Sequence, residues 1–424
     1  MAEKKNQESD IGMSREALIS PIREWLVDRA LGDADVVELF ETLCLQMVGV
    51  GIPVSRARLV WPTLHPLFQA ETVIWDNGEQ AWLEQFEHQD QASDDWNRSP
   101  LKFVVDNDLD MLRRELEGPN ELLDFGLLKD LKEQGFTDYV LMRTTLKGTS
   151  FRVREGERSR GILVTWSTKK KGGFSSDDIW ALQKIQRRFA VACKTEIQSR
   201  ISSNIASTYL GDRAGNNVLN GQIRRGDGER TKAVVWYSDL RNSTSLAETM
   251  EPSEYFSLLN SFFMTTAEPV VNHGGEILDF IGDAVLGIFP FSEEKYLERA
   301  ARAANNALDE AILLSTEANK HRIDKGEEQF KFGIGMNAGE VMFGNIGIPS
   351  RLSFSVIGPT VNQVARIQDM TKLVQQTVLA DKTIAALDET RWKSTGMHKL
   401  AGVLEPVELF AFRCSHTRAA EAAE

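Results

Sequence analysis

Cysteine is scarce in this 424-residue chain: Cys44, Cys193 and Cys414 stand alone and far apart. Three scattered thiols make neither a disulfide framework nor a zinc site. The six histidines fall at no metal-ligand spacing. No apolar run approaches the roughly 20 residues of a membrane span, and Met1-Ala-Glu-Lys-Lys-Asn6 does not read as a secretory leader. Basic charge is also short, with 49 Lys and Arg against 62 Asp and Glu and a formal charge of −13. That balance argues against a nucleic-acid partner. The expectation is a reduced, cytoplasmic protein with no membrane association.

A hydrophobic content of 42% and a charged content of 26% describe a folded chain, and the length calls for two domains. Residues 1–14 read as a disordered tail. Helical spacing follows at 22–31 and 36–50, then strand-like runs at 57–61, 71–75 and 102–105. The acidic stretch 76–97 reads as a loop, 122–133 as a helix, and 138–146 and 160–167 as strands. A long helix begins near Ser175 and carries Ile179, Leu182, Ile185, Phe189 and Ala192 at steps of three and four. Its stripe continues through Ile197, Ile201 and Ile205, which favours pairing with a copy of itself over lying on its own sheet. A helical linker over 196–230 leads to a second domain over 231–413, followed by a tail at 414–424. Within that domain the order is strand (233–240), helix (245–273), strand–turn–strand (276–289), helix (293–320), strands at 330–337 and 340–346, and a helix at 360–374. This is an α+β, ferredoxin-like βαββαβ pattern with helices on one sheet face.

Two aspartates close apolar runs there, in Ala233-Val-Val-Trp-Tyr-Ser-Asp-Leu240 and Glu276-Ile-Leu-Asp-Phe-Ile-Gly-Asp283. A carboxylate at the end of a buried strand is held rigidly and suits a hard cation. The polar turn Arg241-Asn242-Ser243-Thr244 leads into a helix where Ser245 and Glu248 have capping-box spacing. Free N–H groups at such a helix start favour phosphate. The combination suggests metal-assisted phosphoryl chemistry on a nucleotide.

Four stretches carry a resemblance to the class III nucleotidyl cyclases. They are Trp236-Tyr-Ser-Asp-Leu-Arg-Asn-Ser-Thr244, Gly274-Gly-Glu-Ile-Leu-Asp-Phe-Ile-Gly-Asp-Ala284, Gly333-Ile-Gly-Met-Asn-Ala-Gly-Glu340 and Val356-Ile-Gly-Pro-Thr-Val-Asn-Gln-Val-Ala-Arg366. The resemblance implies two divalent cations, Mg²⁺ or Mn²⁺, held by Asp239, Asp283 and the main-chain carbonyl of Leu240. It implies that Asn362 orients the ribose and that Arg366 stabilises charge on the α-phosphate, with Arg241, Asn242, Ser243 and Thr244 near the substrate. It also implies a homodimer whose active sites combine residues from both chains.

Base recognition departs from the usual adenylyl Lys/Asp pair, because Asp279 and Ser355 occupy those positions. A carboxylate can accept from the adenine amino group or from guanine N1–H and its 2-amino group. An ion pair between Asp279 and a local cation is the alternative reading. ATP is favoured as substrate, with GTP as the runner-up and a catalytically inactive signalling module as a third reading. The stretch Leu400-Ala-Gly-Val-Leu-Glu-Pro-Val-Glu-Leu-Phe410 lacks the Lys that several members place against the triphosphate, with Lys399 and Arg351 as nearby substitutes. Residues 15–195 resemble a GAF-like α/β sensory domain, a resemblance that implies regulation by an unidentified small molecule through the long helix.

Overall fold

The computed structural model describes residues 2–32, 35–88, 94–146 and 161–413. It divides into two compact units, Met1–Thr208 and Tyr209–Glu424. Cys414 and the expected tail at 414–424 lie outside the described residues.

The first unit opens with α1 (Ala2–Ala30), where a disordered tail was expected over 1–14, and α2 (Val36–Gly49). Asp35 starts α2 by accepting from the N–H groups of Val37 and Glu38. Three strands follow: β1 (Arg56–Pro62), β2 (Phe68–Asp76) and β3 (Trp82–Glu87). The last of these replaces part of the acidic loop expected over 76–97. Next come α3 (Asp94–Asn97) and α4 (Pro100–Asp106), the latter where a strand was expected at 102–105. Ser99 caps α4 and Pro100 fills its first turn, and this start signal outweighs the strand propensity of a short apolar run. The unit continues through β4 (Met111–Glu115), α5 (Gly126–Glu133), β5 (Asp138–Thr144) and β6 (Ile162–Thr168). It closes into α6 (Ser176–Leu210).

The six strands form one antiparallel sheet in the order β3-β2-β1-β6-β5-β4. One face packs on α1, α2 and α6 through Phe40, Leu43, Leu182 and Phe189, and the other packs on α4 and α5. Ser175 and Asp178 bond reciprocally to each other's N–H at the entry to α6. The α6 stripe is therefore not free along its length. Leu182, Ile185, Phe189, Ala192, Ile197 and Ile201 are buried in the unit's own core. Ile205, Tyr209 and Leu210 remain exposed. The self-pairing expectation is corrected as far as Ile201, because α1 and the sheet cover those side chains.

The second unit contains α7 (Asp212–Leu219), a helix inside the expected linker, and β7 (Gly228–Leu240). The single helix expected over 245–273 is three pieces: α8 (Ser243–Thr249), α9 (Pro252–Thr266) and α10 (Glu268–Asn272). Pro252 and Pro269 each sit in a first turn and cannot continue a preceding helix. Then follow β8 (Glu276–Ile281), β9 (Ala284–Phe291), α11 (Leu297–Asp324), β10 (Phe332–Ile348) and β11 (Arg351–Ile357). The chain ends with α12 (Pro359–Leu373), β12 (Val378–Asp381), α13 (Lys382–Ala385), β13 (Trp392–His398) and β14 (Val407–Phe412).

The sheet runs β13-β14-β12-β10-β7-β9-β8, with β11 paired to β10. Four adjacent strands and the helices between them, β7-α9-β8-β9-α11-β10, are the expected βαββαβ unit. Alternation along β7 sends Val234 and Trp236 toward α9 and α11, and Ala233 and Val235 to the opposite face. That second face is not bare, as the one-sided expectation had it: α12 lies on it through Val364. The glycines of β10 explain the close approach. A Cβ on Gly335 would stand 2.7 Å from Val364 O and from Gln368 N, and one on Gly333 would stand 2.2 Å from Thr371 Oγ1. Gly333-Ile-Gly is thus a seat for a helix within one continuous strand, and not a phosphate loop. Among the described residues no helix is long and apolar enough to cross a membrane.

Candidate active site on the C-terminal sheet

Asp239 is the penultimate residue of β7, paired in register with Ala284 of β9 and Gly333 of β10. Asp283 lies in the turn between β8 and β9, just after Gly282, whose φ of +66° permits the tight reversal. The main chains are tied together there: Leu240 N–H donates to Asp283 O at 3.1 Å. The Leu240 side chain is buried in the core. The structure therefore brings Asp239, Leu240 and Asp283 together.

Burial raises the Asp239 carboxyl above its ordinary value, Lys372 pulls it back down, and the nearby Asp283 pushes it up again. Two half-buried carboxylates at this separation repel each other, and one ammonium only partly offsets that cost. The set is made of hard oxygen donors and fits a hard cation. Among the described residues no group of three or more His, Cys, Asp or Glu side chains could hold a metal.

Sequence reasoning missed three neighbours. Lys372 Nζ donates to Asp239 Oδ2 at 3.0 Å, and the buried Gln368 Nε2 donates to the same oxygen at 3.4 Å. Tyr237, two residues before Asp239, has its hydroxyl raised by burial and then by Asp239, Asp283 and Asp369. The i, i+4 spacing of Gln368 and Lys372 was visible, but only the glycine seat under α12 shows which side of the helix meets Asp239.

Asn362 and Arg366 are not part of this cluster. Both are exposed on α12, and Arg366 Nη1 pairs with Asp369 Oδ2 at 3.4 Å. At about 100° per residue their face lies about 120° around the helix from Gln368 and Lys372. Arg241 is turned to other work. Its guanidinium donates to the main-chain carbonyls of Phe332, Thr371 and Gln376, tying the start of β10 to the end of α12. Three backbone acceptors hold Nε and one terminal nitrogen of the group, a structural role beside the substrate contact expected of it.

Asn242, at φ +61°, precedes α8, and Ser243 and Thr244 form its first turn. Ser245 lies inside the helix and not at its cap, so the expected capping box with Glu248 is absent; Asn242 holds the cap position without a side-chain bond. Asp279 is exposed on the edge strand β8, at a bulge between Ile277 and Asp279. Edge position and bulge explain how a strand tolerates an aspartate there. No cation pairs with it among the described residues. Ser355 lies on β11 opposite Gly344, half-buried, and β11 approaches β8.

Residues 228–410 match the family described as the adenylate and guanylate cyclase catalytic domain. This segment is a class III cyclase catalytic domain. The chain is also similar to known cyclases. An adenylate cyclase of Anabaena cylindrica is 30% identical over 162 residues, covering 38% of this chain and 32% of the relative. The chain thus spans about a third of the length of the curated relatives it matches. Among solved structures, the guanylyl cyclase Cya2 is 30% identical with a TM-score of 0.39, over 44% of this chain and 94% of that one. The adenylyl cyclase CyaB from P. aeruginosa is 22% identical with a TM-score of 0.39, over 44% and 96%. Both purine classes are present among these proteins.

Proposed function

We propose that the chain is an adenylate cyclase that converts ATP into 3′,5′-cyclic AMP and pyrophosphate. The observation that carries this reading is the half-buried pair Asp239 and Asp283, joined through Leu240 within a cyclase domain. Asp239, Asp283 and the Leu240 carbonyl would hold two divalent cations, Mg²⁺ or Mn²⁺. Bound there, such ions supply charge neutralisation and lower the pKa of a coordinated hydroxyl. The chain's own task is then to place the ribose 3′-hydroxyl in line with the α-phosphorus. Asn362 orients the ribose, and Arg366 meets charge growing on the α-phosphate. Asn242, Ser243 and Thr244 border the phosphates at the start of α8.

The exposed face carrying Asn362 and Arg366, turned away from Asp239 of the same chain, supports a homodimer in which each site draws on both chains. The six-stranded antiparallel sheet with helices on both faces supports a GAF-like sensor over 15–195, with a small molecule of unidentified type as its ligand. The residues 196–230 would couple it to the catalytic domain over 231–413. Buried free thiols at Cys44 and Cys193 fit a cytoplasmic setting.

One observation favours a second reading. Asp279 is exposed with no cation partner among the described residues, and such a carboxylate suits guanine N1–H and its 2-amino group as well as the adenine amino group. With Ser355 it forms the candidate base-reading pair. Incubating the purified dimer with Mn²⁺ and either ATP or GTP, and identifying the cyclic product, tests both. Cyclic AMP is expected. Cyclic GMP alone would move the reading to a guanylate cyclase, and no product from either would mark an inactive signalling module.

A further inference from the structure

A cavity of about 600 Å³ lies in the C-terminal unit, between α11, the start of β10 and the β13–β14 edge. Its charged lining is wholly basic among the described residues: Arg241, Lys331, Lys393 and Arg413. This is unusual on a chain whose formal charge is −13. Arg241 is committed to three main-chain carbonyls. Lys331, Lys393 and Arg413 are exposed and form no side-chain ion pair among the described residues. Three unpaired cations around one concavity repel each other, and only an anion relieves all three together. The volume is that of a small-molecule site.

Three of the other polar side chains there are already engaged. Asn319 exchanges hydrogen bonds with the backbone of Phe330, and the hydroxyls of Ser315 and Thr316 donate to Ile312 O. Recognition of charge therefore falls to the cations, with the Gln376 and Thr377 side chains beside them. A monovalent carboxylate would leave most of the charge unmatched, whereas a polyvalent phosphate matches it.

We propose that this cleft binds a phosphate-bearing polyanion through Lys331, Lys393 and Arg413. It is a separate site from Asp239 and Asp283 and does not depend on the catalytic reading. It has a direct mechanical link to α12, because Arg241 lines the cleft and also holds Thr371 O and Gln376 O at the end of that helix. Occupancy is thus felt one residue from Lys372.

The test is calorimetric titration of the full chain in EDTA, which silences metal-dependent binding, with inorganic pyrophosphate and separately with ADP. Saturable binding is expected, weakened by about tenfold or more in a Lys331→Gln/Lys393→Gln/Arg413→Gln variant and kept in Asp239→Asn. Tighter binding of pyrophosphate than of ADP identifies an inorganic polyphosphate, and the reverse order identifies a nucleotide. All three cations are exposed, so an unchanged unfolding midpoint will verify that the triple variant is folded. No saturable binding of either probe at millimolar concentration, or undiminished binding by the folded triple variant, overturns the proposal.

Discussion

Lys372 and Asp239 are joined across the gap between α12 and β7, Nζ to Oδ2 at 3.0 Å. The lysine occupies one of the oxygens that a divalent cation at this site would need. Two cations cannot share one carboxylate oxygen at contact distance without repulsion, so the ammonium and the metal compete. The pair is nearly half-exposed on the lysine side and is worth roughly 0.2–1 kcal/mol. Lys372→Ala is expected to bind Mn²⁺ up to about fivefold more tightly by calorimetry or electron paramagnetic resonance. Weaker Mn²⁺ binding would instead show that Lys372 positions the carboxylate.

The separation of Asn362 and Arg366 from the aspartates predicts complementation. Asp239→Ala and Arg366→Ala should each be inactive as purified homodimers, with losses of at least about 100-fold. Mixing the two chains under conditions of subunit exchange should restore activity, because half of the sites in a mixed dimer are intact. If mixing restores nothing while exchange is demonstrated, each site is built within one chain.

The seat of α12 is a stability element as well as a positioning one. Gly335→Ala would place a methyl group 2.7 Å from two backbone atoms of α12, and backbone cannot swing aside as a flexible side chain can. The expected destabilisation is about 1–3 kcal/mol, read as a lower urea midpoint at unchanged slope. Metal affinity should rise with it, since lifting the helix withdraws the Lys372 ammonium from Asp239 Oδ2. Gly326→Ala, where nothing stands within 4 Å but φ is +74°, is a control that strains the backbone without touching this seat.

Asp239 and Asp283 were legible in the sequence because each stands where an apolar run stops, a local pattern that needs no knowledge of neighbours. The βαββαβ order was legible for the same reason. The direction faced by α12 was not, since it depends on which helix the β10 glycines admit, a contact between separate segments of the chain. The structural role of Arg241 was not legible, because its backbone acceptors lie as many as 135 residues away in the chain. β3 was missed because an edge strand with acidic residues lacks the apolar alternation of a half-buried one. The α6 stripe was real, but sequence alone cannot say whether a second chain or the chain's own core covers it.

Asp381 offers a test of the core that is separate from catalysis. It is buried at the end of β12 and caps α13, its Oδ1 accepting from Ile384 N at 3.2 Å. Burial raises its carboxyl above the ordinary value even though hydrogen bonds from Thr383 and Ile384 pull the other way. The folded state therefore holds this proton more tightly than the unfolded state does. Its contribution to stability is largest below the unfolded value and is lost as pH rises through the raised folded one, after which the ionised group carries a constant cost. Asn keeps the cap acceptor and never ionises. Asp381→Asn should thus be more stable than the parent at neutral pH, by up to about 1 kcal/mol. The difference should close as the pH falls through the carboxyl range. Chemical denaturation at pH 7 and pH 4 checks both parts. A variant less stable than the parent at pH 7 would mean that the charge-assisted cap outweighs the cost of burial.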